Sequence, residues 1–203
     1  MVAPADITGL VLAGGRGTRM GGLDKGLQPW HGKPLAQHAM ARLAAQTGPV
    51  LISANRHLDR YAALGAPVVG DTRAEFAGPL AGLLAGLDMC TTPWLAAVPC
   101  DAPWFPPDLV QRLAGAAQQA SAQAAVAATT SADGSTRWQP VFCLVHVALR
   151  PSLARWLDAG GRKAGDWFAA QNAACALYDE GPATNRAFMN INTLAELASP
   201  SDH

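Results

Sequence analysis

The 203-residue chain has few charged residues and no excess of either sign. Lys and Arg together number 15, Asp and Glu also number 15, and only 15% of the residues are charged. A protein that binds nucleic acid without sequence preference needs a broad positive field, which this balance excludes. Any anionic ligand must therefore be bound by a local group of cations.

Long apolar runs and paired cysteines are also missing. No apolar stretch approaches the roughly 20 residues that a membrane helix needs, and the N-terminal segment lacks the basic region of a secretory signal and carries Asp6. The four cysteines form no Cys-x-x-Cys pair, so neither a zinc knuckle nor a disulfide framework is indicated. We expect a cytoplasmic protein with reduced cysteines and no membrane partner.

Short apolar runs alternate along the chain with helical patterns. The runs are continuously apolar, which is typical of strands that are buried on both faces of a parallel sheet. They cover residues 7–12, 49–53, 66–70, 94–99 and 124–129. Residues 35–43 and 106–120, the latter opening with prolines, have helical patterns. This order predicts an α/β fold with a mostly parallel central sheet flanked by helices.

The last third of the chain departs slightly from this rhythm. The predicted elements are, in order, a strand, a helix, two short extended pieces and a final helix, over residues 139–146, 147–160, 174–179, 188–193 and 194–198. No linker rich in Gly, Ser or Pro divides the chain. We therefore expect one domain over residues 1–203.

A glycine-rich segment follows the first predicted strand. Residues 11–27, VLAGGRGTRMGGLDKGL, contain six glycines together with Arg19 and Lys25. Backbone N–H groups of such a loop bind anions, and clustered cations favour an anion that compensates them. The spacing fits neither a P-loop, because Asp24 precedes Lys25, nor the dinucleotide fingerprint, because Met20 occupies the last glycine position. A purely structural turn is the other interpretation.

Asn55, Asp71 and Asp101 each come directly after a predicted strand. If these strands run in parallel, the three side chains emerge at the edge of the sheet where α/β proteins bind ligands. Asp101 is suited to hold a hard divalent cation such as Mg2+, which takes its remaining ligands from phosphate oxygens and water. The alternatives are that Asp101 caps the next helix and that Asn55 and Asp71 only form turns.

Taken in order, the motifs of the chain resemble those of one family. The LAGG, RMGG and DKGL pieces of the glycine-rich segment most resemble molybdenum cofactor guanylyltransferases, and the match continues to the end of the chain. The further motifs are HGKPLAQHAMARL, ISANR, GDTRAEFAGPLAGLLAGL, VPCDAPWFPPDL, RWQPVFCL and FMNINT. The resemblance covers nearly the whole chain and implies a single-domain, Rossmann-like nucleotidyltransferase fold.

The resemblance also implies an activity. An enzyme of this family transfers GMP from GTP to the terminal phosphate of molybdopterin or the molybdenum cofactor and releases pyrophosphate. Residues 7–110 would mainly bind GTP, residues 130–195 would mainly bind the acceptor, and Mg2+ is the implied cofactor. The implied partners include, in transient contacts, other cofactor-biosynthesis proteins and recipient molybdoenzymes, but no nucleic acid.

Individual residues take roles by the same resemblance. The implied catalytic residues are Lys25, Arg19 and Asp101, of which Asp101 holds the metal. The implied GTP-binding residues are Leu12, Ala13, Gly14, Gly15, Lys25, Asn55, Asp71 and Asp101. The implied acceptor-binding residues are Gly78, Arg162, Asn190 and Asn192. The division of roles between Asn55 and Asp71 stays open, as do structural roles for the acceptor-binding set.

Two other functions remain open. A cytidylyltransferase of the same fold would differ in its base, and LAGG in place of the LAAG associated with that sister family favours GTP. A noncatalytic GTP-binding or carrier module is the second alternative, which the presence of both Lys25 and Asp101 disfavours. The two enzyme interpretations need no covalent intermediate, because the acceptor phosphate is itself an anionic nucleophile.

Overall fold

The structure, a computed structural model, describes residues 2–13, 23–70, 78–131, 133–179, 181, 186–193 and 196–197. The strands in these ranges are β1 (Ile7–Leu12), β2 (Pro29–Trp30), β3 (Lys33–Pro34), β4 (Val50–Ser53), β5 (Val68–Val69), β6 (Trp94–Pro99), β7 (Ala124–Thr130), β8 (Thr136–His146) and β9 (Ala174–Tyr178). The α-helices are α1 (Leu35–Ala44), α2 (Leu58–Ala62), α3 (Pro79–Met89), α4 (Leu109–Gln119), α5 (Arg150–Asp158) and α6 (Ala164–Ala170).

Seven of these strands form one sheet in the order β5-β4-β1-β6-β8-β7-β9. Strands β5, β4, β1 and β6 are parallel neighbours, and β9 is parallel to β7. Strand β8 is antiparallel to both β6 and β7, because a hairpin returns the chain from β7. The prediction of an α/β fold with a mostly parallel central sheet is confirmed.

Helices cover both faces of the sheet. One core lies between the sheet and helices α1 and α4, and a second core lies between the sheet and helices α3, α5 and α6. Adjacent residues of β1 point into opposite cores, since Leu10 packs in the second and Val11 in the first. This burial on both faces explains why the central strands have continuously apolar sequences. None of the described helices is long and apolar enough to cross a membrane.

Helix α3 packs closely against the sheet through glycine. A Cβ atom added at Gly82 would lie 2.6 Å from Ser53 Oγ and 2.9 Å from Leu12 Cδ2. Ser53 and Leu12 are the last residues of β4 and β1. Glycine at position 82 therefore lets the first turns of α3 lie directly against the ends of the two strands.

The structure differs from the predicted elements near the sheet edge and near the C-terminus. The strand predicted over 66–70 is reduced to β5, which lies at the edge and pairs only with β4. Residues 188–193, predicted as extended, pair with no strand of the described sheet. Their backbone is held instead by a hydrogen bond from Ile191 N to Asp101 O (2.8 Å). Of the final helix, Glu196 and Leu197 are described and helical.

Candidate functional site

The carboxyl ends of the parallel strands meet at one edge of the sheet. Ala13 N, just past β1, donates to Ser53 O at the end of β4 (2.8 Å), and Cys100 N, just past β6, donates to Leu12 O (3.0 Å). The residues that follow these strands are therefore neighbours in space. Four of the residues predicted for GTP binding end or follow these strands, namely Leu12, Ala13, Asn55 and Asp101.

Lys25 and Asp101 form an ion pair at this edge. Lys25 Nζ lies 2.7 Å from Asp101 Oδ2, and the two side chains are only 19% and 18% exposed. Lys25 Nζ also donates to Asn192 Oδ1 at 3.0 Å. Three residues that are far apart in the sequence and were each predicted to belong to the site are thus in direct contact.

The carboxylate of Asp101 does not cap the following helix. Helix α4 begins at Leu109, and the residue at its N-cap position is Asp108. Asp101 Oδ2 accepts from Lys25, and Oδ1 makes no hydrogen bond to any residue in the described part of the chain. The interpretation of Asp101 as a helix cap is therefore wrong, and one of its oxygens is available to a ligand.

Asn192 is positioned by a capping box that the sequence interpretation did not include. The Glu196 carboxylate accepts from Asn192 N and from Thr193 N, while Glu196 N donates to Thr193 Oγ1 (3.1 Å). Asn192 Nδ2 donates to Asn190 O at 3.1 Å. The signal was present as a Thr-x-x-Glu spacing at residues 193–196. With this support, Asn192 Oδ1 faces Lys25.

Lys25 follows a buried aspartate that was also not identified from the sequence. Asp24 is 7% exposed, and Asp24 Oδ1 accepts from the phenol of Tyr61 at 2.5 Å. Cys100, directly before Asp101, is buried as well. Burial raises the pKa of the Cys100 thiol, and the charges of Asp101 and Asp24 raise it further. Both effects favour the neutral thiol form of Cys100.

Not all of the predicted acceptor-binding residues contact the Lys25–Asp101 ion pair. Gly78 is the N-cap residue of α3 and has a φ of 75°, a left-handed conformation that favours glycine. Arg162 Nη1 donates to Leu157 O (3.1 Å) and Gly161 O (2.9 Å) at the end of α5. No hydrogen bond in the described segments joins Gly78 or Arg162 to Lys25.

Four of the residues predicted for the site lie outside the described residues. They are Gly14, Gly15, Arg19 and Asp71. Their roles remain predictions, as do the binding roles of the residues that the structure places at the edge of the sheet.

Solved structures of other proteins have the same fold. The crystal structure of molybdopterin-guanine dinucleotide biosynthesis protein A from Archaeoglobus fulgidus matches with a TM-score of 0.70 and 18% identity, covering 94% of each chain. That of 4-diphosphocytidyl-2C-methyl-D-erythritol synthase from Anaerococcus prevotii matches with a TM-score of 0.72 and 10% identity, covering 96% of this chain and 93% of the other. Both proteins therefore share the fold of this chain.

The sequence assigns the chain to a family. Residues 9–174 match the MobA-like NTP transferase domain. A molybdenum cofactor guanylyltransferase from Cupriavidus necator is 53% identical over 197 residues, which cover 97% of each chain. The chain belongs to the MobA-like NTP transferase family and is a nucleotidyltransferase. The resemblance to molybdenum cofactor guanylyltransferases that the ordered motifs predict is confirmed.

Proposed function

We propose that this chain transfers GMP from GTP to the terminal phosphate of molybdopterin or of the molybdenum cofactor, forming the guanine dinucleotide and releasing pyrophosphate. The name of its relative with 53% identity supports this activity. The structural observation that carries it is the contact between Lys25 and Asp101 at the carboxyl ends of parallel strands (2.7 Å). Ligands of open α/β sheets bind at this edge.

The reaction is a substitution at the α-phosphorus of GTP. An oxygen of the acceptor phosphate forms a bond to this phosphorus, the bond from the phosphorus to the oxygen that bridges to the β-phosphate breaks, and pyrophosphate leaves with that electron pair. The acceptor oxygen is already anionic, so no protein base is required. The tasks of the chain are alignment and neutralisation of negative charge.

Lys25 carries out the neutralisation in this proposal, together with Arg19. Lys25 Nζ is a point charge with three donors, which is suited to phosphate oxygens. Its contacts with Asp101 and Asn192 hold the ammonium group at the edge of the sheet. The amides of the glycine-rich segment at Gly14 and Gly15 would bind the triphosphate beside it.

Asp101 fits a divalent cation. Its Oδ1 has no hydrogen bond within the described ranges, and no group of three or more His, Cys, Asp or Glu lies together in those ranges. Mg2+ is commonly held by one or two carboxylates together with substrate phosphates and water. We therefore propose Asp101 as the protein ligand. Mg2+ bound there supplies positive charge to the α-phosphoryl oxygens.

The acceptor half of the proposal rests on the C-terminal part of the chain. Asn190 and Asn192 are exposed, and Asn192 is in contact with Lys25, so an acceptor bound by these residues would lie beside the triphosphate. Gly78 and Arg162 are proposed to complete this site. The division into a GTP-binding part at 7–110 and an acceptor-binding part at 130–195 remains a prediction. So do the cytoplasmic location and the transient contacts with recipient molybdoenzymes.

The choice of base provides the test. Guanine presents N1–H and an amine as donors beside O6, whereas cytosine presents an acceptor nitrogen beside its amine. Backbone groups of Leu12 and Ala13, with Asn55 or Asp71 as acceptors, are proposed to match guanine. A site built from such hydrogen bonds can reject the wrong ligand by roughly 10,000-fold.

The experiment compares GTP, CTP and ATP as donors to molybdopterin, with the catalytic efficiency measured for each. We expect GTP to exceed the other two by a large factor. A preference for CTP would contradict guanylyl transfer while leaving the fold and the Lys25–Asp101 pair unaffected. Binding of GTP without transfer would indicate a noncatalytic module.

A further inference from the structure

The two ends of the glycine-rich segment meet at one buried hydroxyl group. Ala13 lies near the start of the segment and Asp24 near its end, and Tyr61 Oη lies 3.5 Å from Ala13 O and 2.5 Å from Asp24 Oδ1. Tyr61 is 0% exposed and belongs to the short helix α2. The phenol has one proton, which the shorter contact assigns to Asp24.

The chain at Gly26 packs closely against this hydroxyl group. A Cβ atom added at Gly26 would overlap Tyr61 Oη and would lie 3.1 Å from Cys100 Sγ. Asp24 and Gly26 are the two sequence neighbours of Lys25, and Cys100 is the neighbour of Asp101. The residues that flank Lys25 and Asp101 are thus packed on the same phenol.

We propose that Tyr61 is a positioning residue for the transfer reaction. Its hydroxyl group holds Asp24 next to Ala13 and so sets the position of Lys25 relative to Asp101. This inference rests on the proposed function, because it assumes that Lys25 binds the phosphates of the donor nucleotide. Tyr61 itself touches no reacting atom in this role.

The chemistry of the phenol suits a fixed donor. Burial raises the pKa of Tyr61, and the nearby Cys100 and Asp24 raise it further, so the hydroxyl group keeps its proton at neutral pH. A hydrogen bond from a buried hydroxyl to a carboxylate is shorter and stronger than one between neutral groups. Removal of the hydroxyl group leaves the Asp24 carboxylate buried without this donor, which favours movement of the chain at Lys25.

The first test is a double-mutant cycle with Tyr61→Phe and Lys25→Ala. Because misplacement of a catalytic group by about 1 Å can cost roughly 100-fold in rate, we expect Tyr61→Phe to lower kcat/KM for GTP by about 10-fold to 100-fold. In the Lys25→Ala background, Tyr61→Phe should lower kcat/KM for GTP by less than about threefold, because its effect acts through Lys25. A loss of equal size in both backgrounds, or turnover of Tyr61→Phe within about twofold of the wild type, would overturn the proposal.

The other tyrosine of the chain provides the matched control. Tyr178 is also buried, at 1% exposure, in β9, and Tyr178→Phe removes the same atom from an edge strand of the sheet. We expect Tyr178→Phe to leave kcat/KM for GTP unchanged. If Tyr178→Phe lowers activity as much as Tyr61→Phe, the effect is a general loss of packing and the proposal fails.

Substitutions at Asp24 keep the test decisive if Tyr61→Phe does not fold. Asp24→Asn retains an oxygen that accepts from Tyr61, whereas Asp24→Ala does not. We expect Asp24→Asn to retain at least about tenfold more activity than Asp24→Ala. Equal activities would overturn the proposal.

Binding of inorganic tripolyphosphate separates this inference from the proposed function. The cycle of Tyr61→Phe and Lys25→Ala is repeated by titration calorimetry with tripolyphosphate, which has no base and undergoes no transfer. Coupled losses of affinity would support Tyr61 as a positioning residue even if the wild type transferred no GMP. Additive losses would overturn it even if the wild type were an active guanylyltransferase.

Discussion

At the scale of single residues, the site depends on two opposite charges in contact. Asp101 is the only carboxylate that the described structure pairs with Lys25. Asp101→Asn keeps the size of the side chain and an oxygen for Lys25 but removes the charge that would hold Mg2+. Loss of a comparable electrostatic group costs on the order of 100-fold to 1,000-fold in rate, and we expect that loss in Mg2+-dependent pyrophosphate release.

The control for this substitution is Asp108→Asn, at the N-cap position of α4. This variant should keep nearly full turnover, because Asp108 pairs with Arg112 and not with Lys25. Both variants should remain folded in thermal unfolding. Near-normal Mg2+-dependent turnover by Asp101→Asn would refute the assignment of the metal ligand.

Lys25 is predicted to bind the outer phosphates of the nucleotide and not its base. Lys25→Ala should slow GMP transfer and weaken GTP binding by about tenfold or more, because a charged hydrogen bond to phosphate is lost. GMP, which lacks the outer phosphates, should be weakened less. Titration calorimetry with both nucleotides measures the difference, and Lys33→Ala, on the exposed strand β3, is the control. Equal weakening of GTP and GMP would assign Lys25 another role.

The residues of the site differ in how far the sequence reveals them. Lys25 and Asp101 could be predicted because a glycine-rich segment and a strand end each have a local signature. The contact between Lys25 and Asn192 spans 167 positions, and that between Asp24 and Tyr61 spans 37. Spacing along the chain contains no information on such contacts, which depend on how helices and strands pack. From the sequence, Asp24 is therefore notable only because an aspartate directly before Lys25 does not fit the P-loop pattern.

At the scale of secondary-structure elements, the fit of α3 against the sheet can be tested with glycine substitutions. Alanine normally stabilises a helix by about 1 kcal/mol relative to glycine. A Cβ atom at Gly82 would lie 2.6 Å from Ser53 Oγ, and overpacking of this kind costs roughly 1–3 kcal/mol. We expect Gly82→Ala to lower the free energy of unfolding measured with urea.

Gly115 in α4 is the matched control, since a Cβ atom added there meets nothing within 4 Å. Gly115→Ala should raise the free energy of unfolding by up to about 1 kcal/mol through helix propensity alone. If both variants changed stability in the same direction, close packing of α3 would not be the reason for glycine at position 82.

The elements could be predicted where burial leaves a clear pattern. Strands β1 and β6 lie inside the sheet, and their apolar runs have the predicted bounds, 7–12 and 94–99. Strand β5 is shorter than predicted because it lies at an edge and has a single neighbour. Residues 188–193 are predicted to be extended, whereas their position is fixed by contacts with Asp101 and by the capping box at Thr193.

At the scale of the whole molecule, the buried thiols predict a loss of stability in alkali. Burial raises the pKa of Cys143 to about 12 from an ordinary 9.0, and it also raises that of Cys100. The folded state then keeps protons that the unfolded chain releases above about pH 9, so stability is present below this pH and falls as the pH rises toward 12. Each such thiol contributes a slope of about 1.4 kcal/mol per pH unit.

Urea unfolding at several pH values between about 8 and about 11 measures this slope. Cys143→Ala should reduce this slope by the contribution of one thiol. The cavity that the substitution leaves lowers the free energy of unfolding by the same amount at every pH, so it does not change the slope. Cys175→Ala, at an exposed position, should change it less. An unchanged slope in Cys143→Ala would show that Cys143 does not contribute to the alkaline loss.

The contact between Lys25 and Asp101 also bears on the order in which ligands arrive. Within the chain the ammonium group is the counter-ion of the carboxylate, at 2.7 Å. If Asp101 holds the metal and Lys25 the nucleotide, as proposed, a free metal ion on Asp101 or a free nucleotide on Lys25 leaves the other charge without a partner in a partly buried place, which is unfavourable. A metal–nucleotide complex brings a cation for one and an anion for the other. Lys25 and Asp101 then each exchange one counter-ion for another. Binding of the preformed metal–nucleotide complex is therefore favoured over binding of the metal ion alone or of the nucleotide alone.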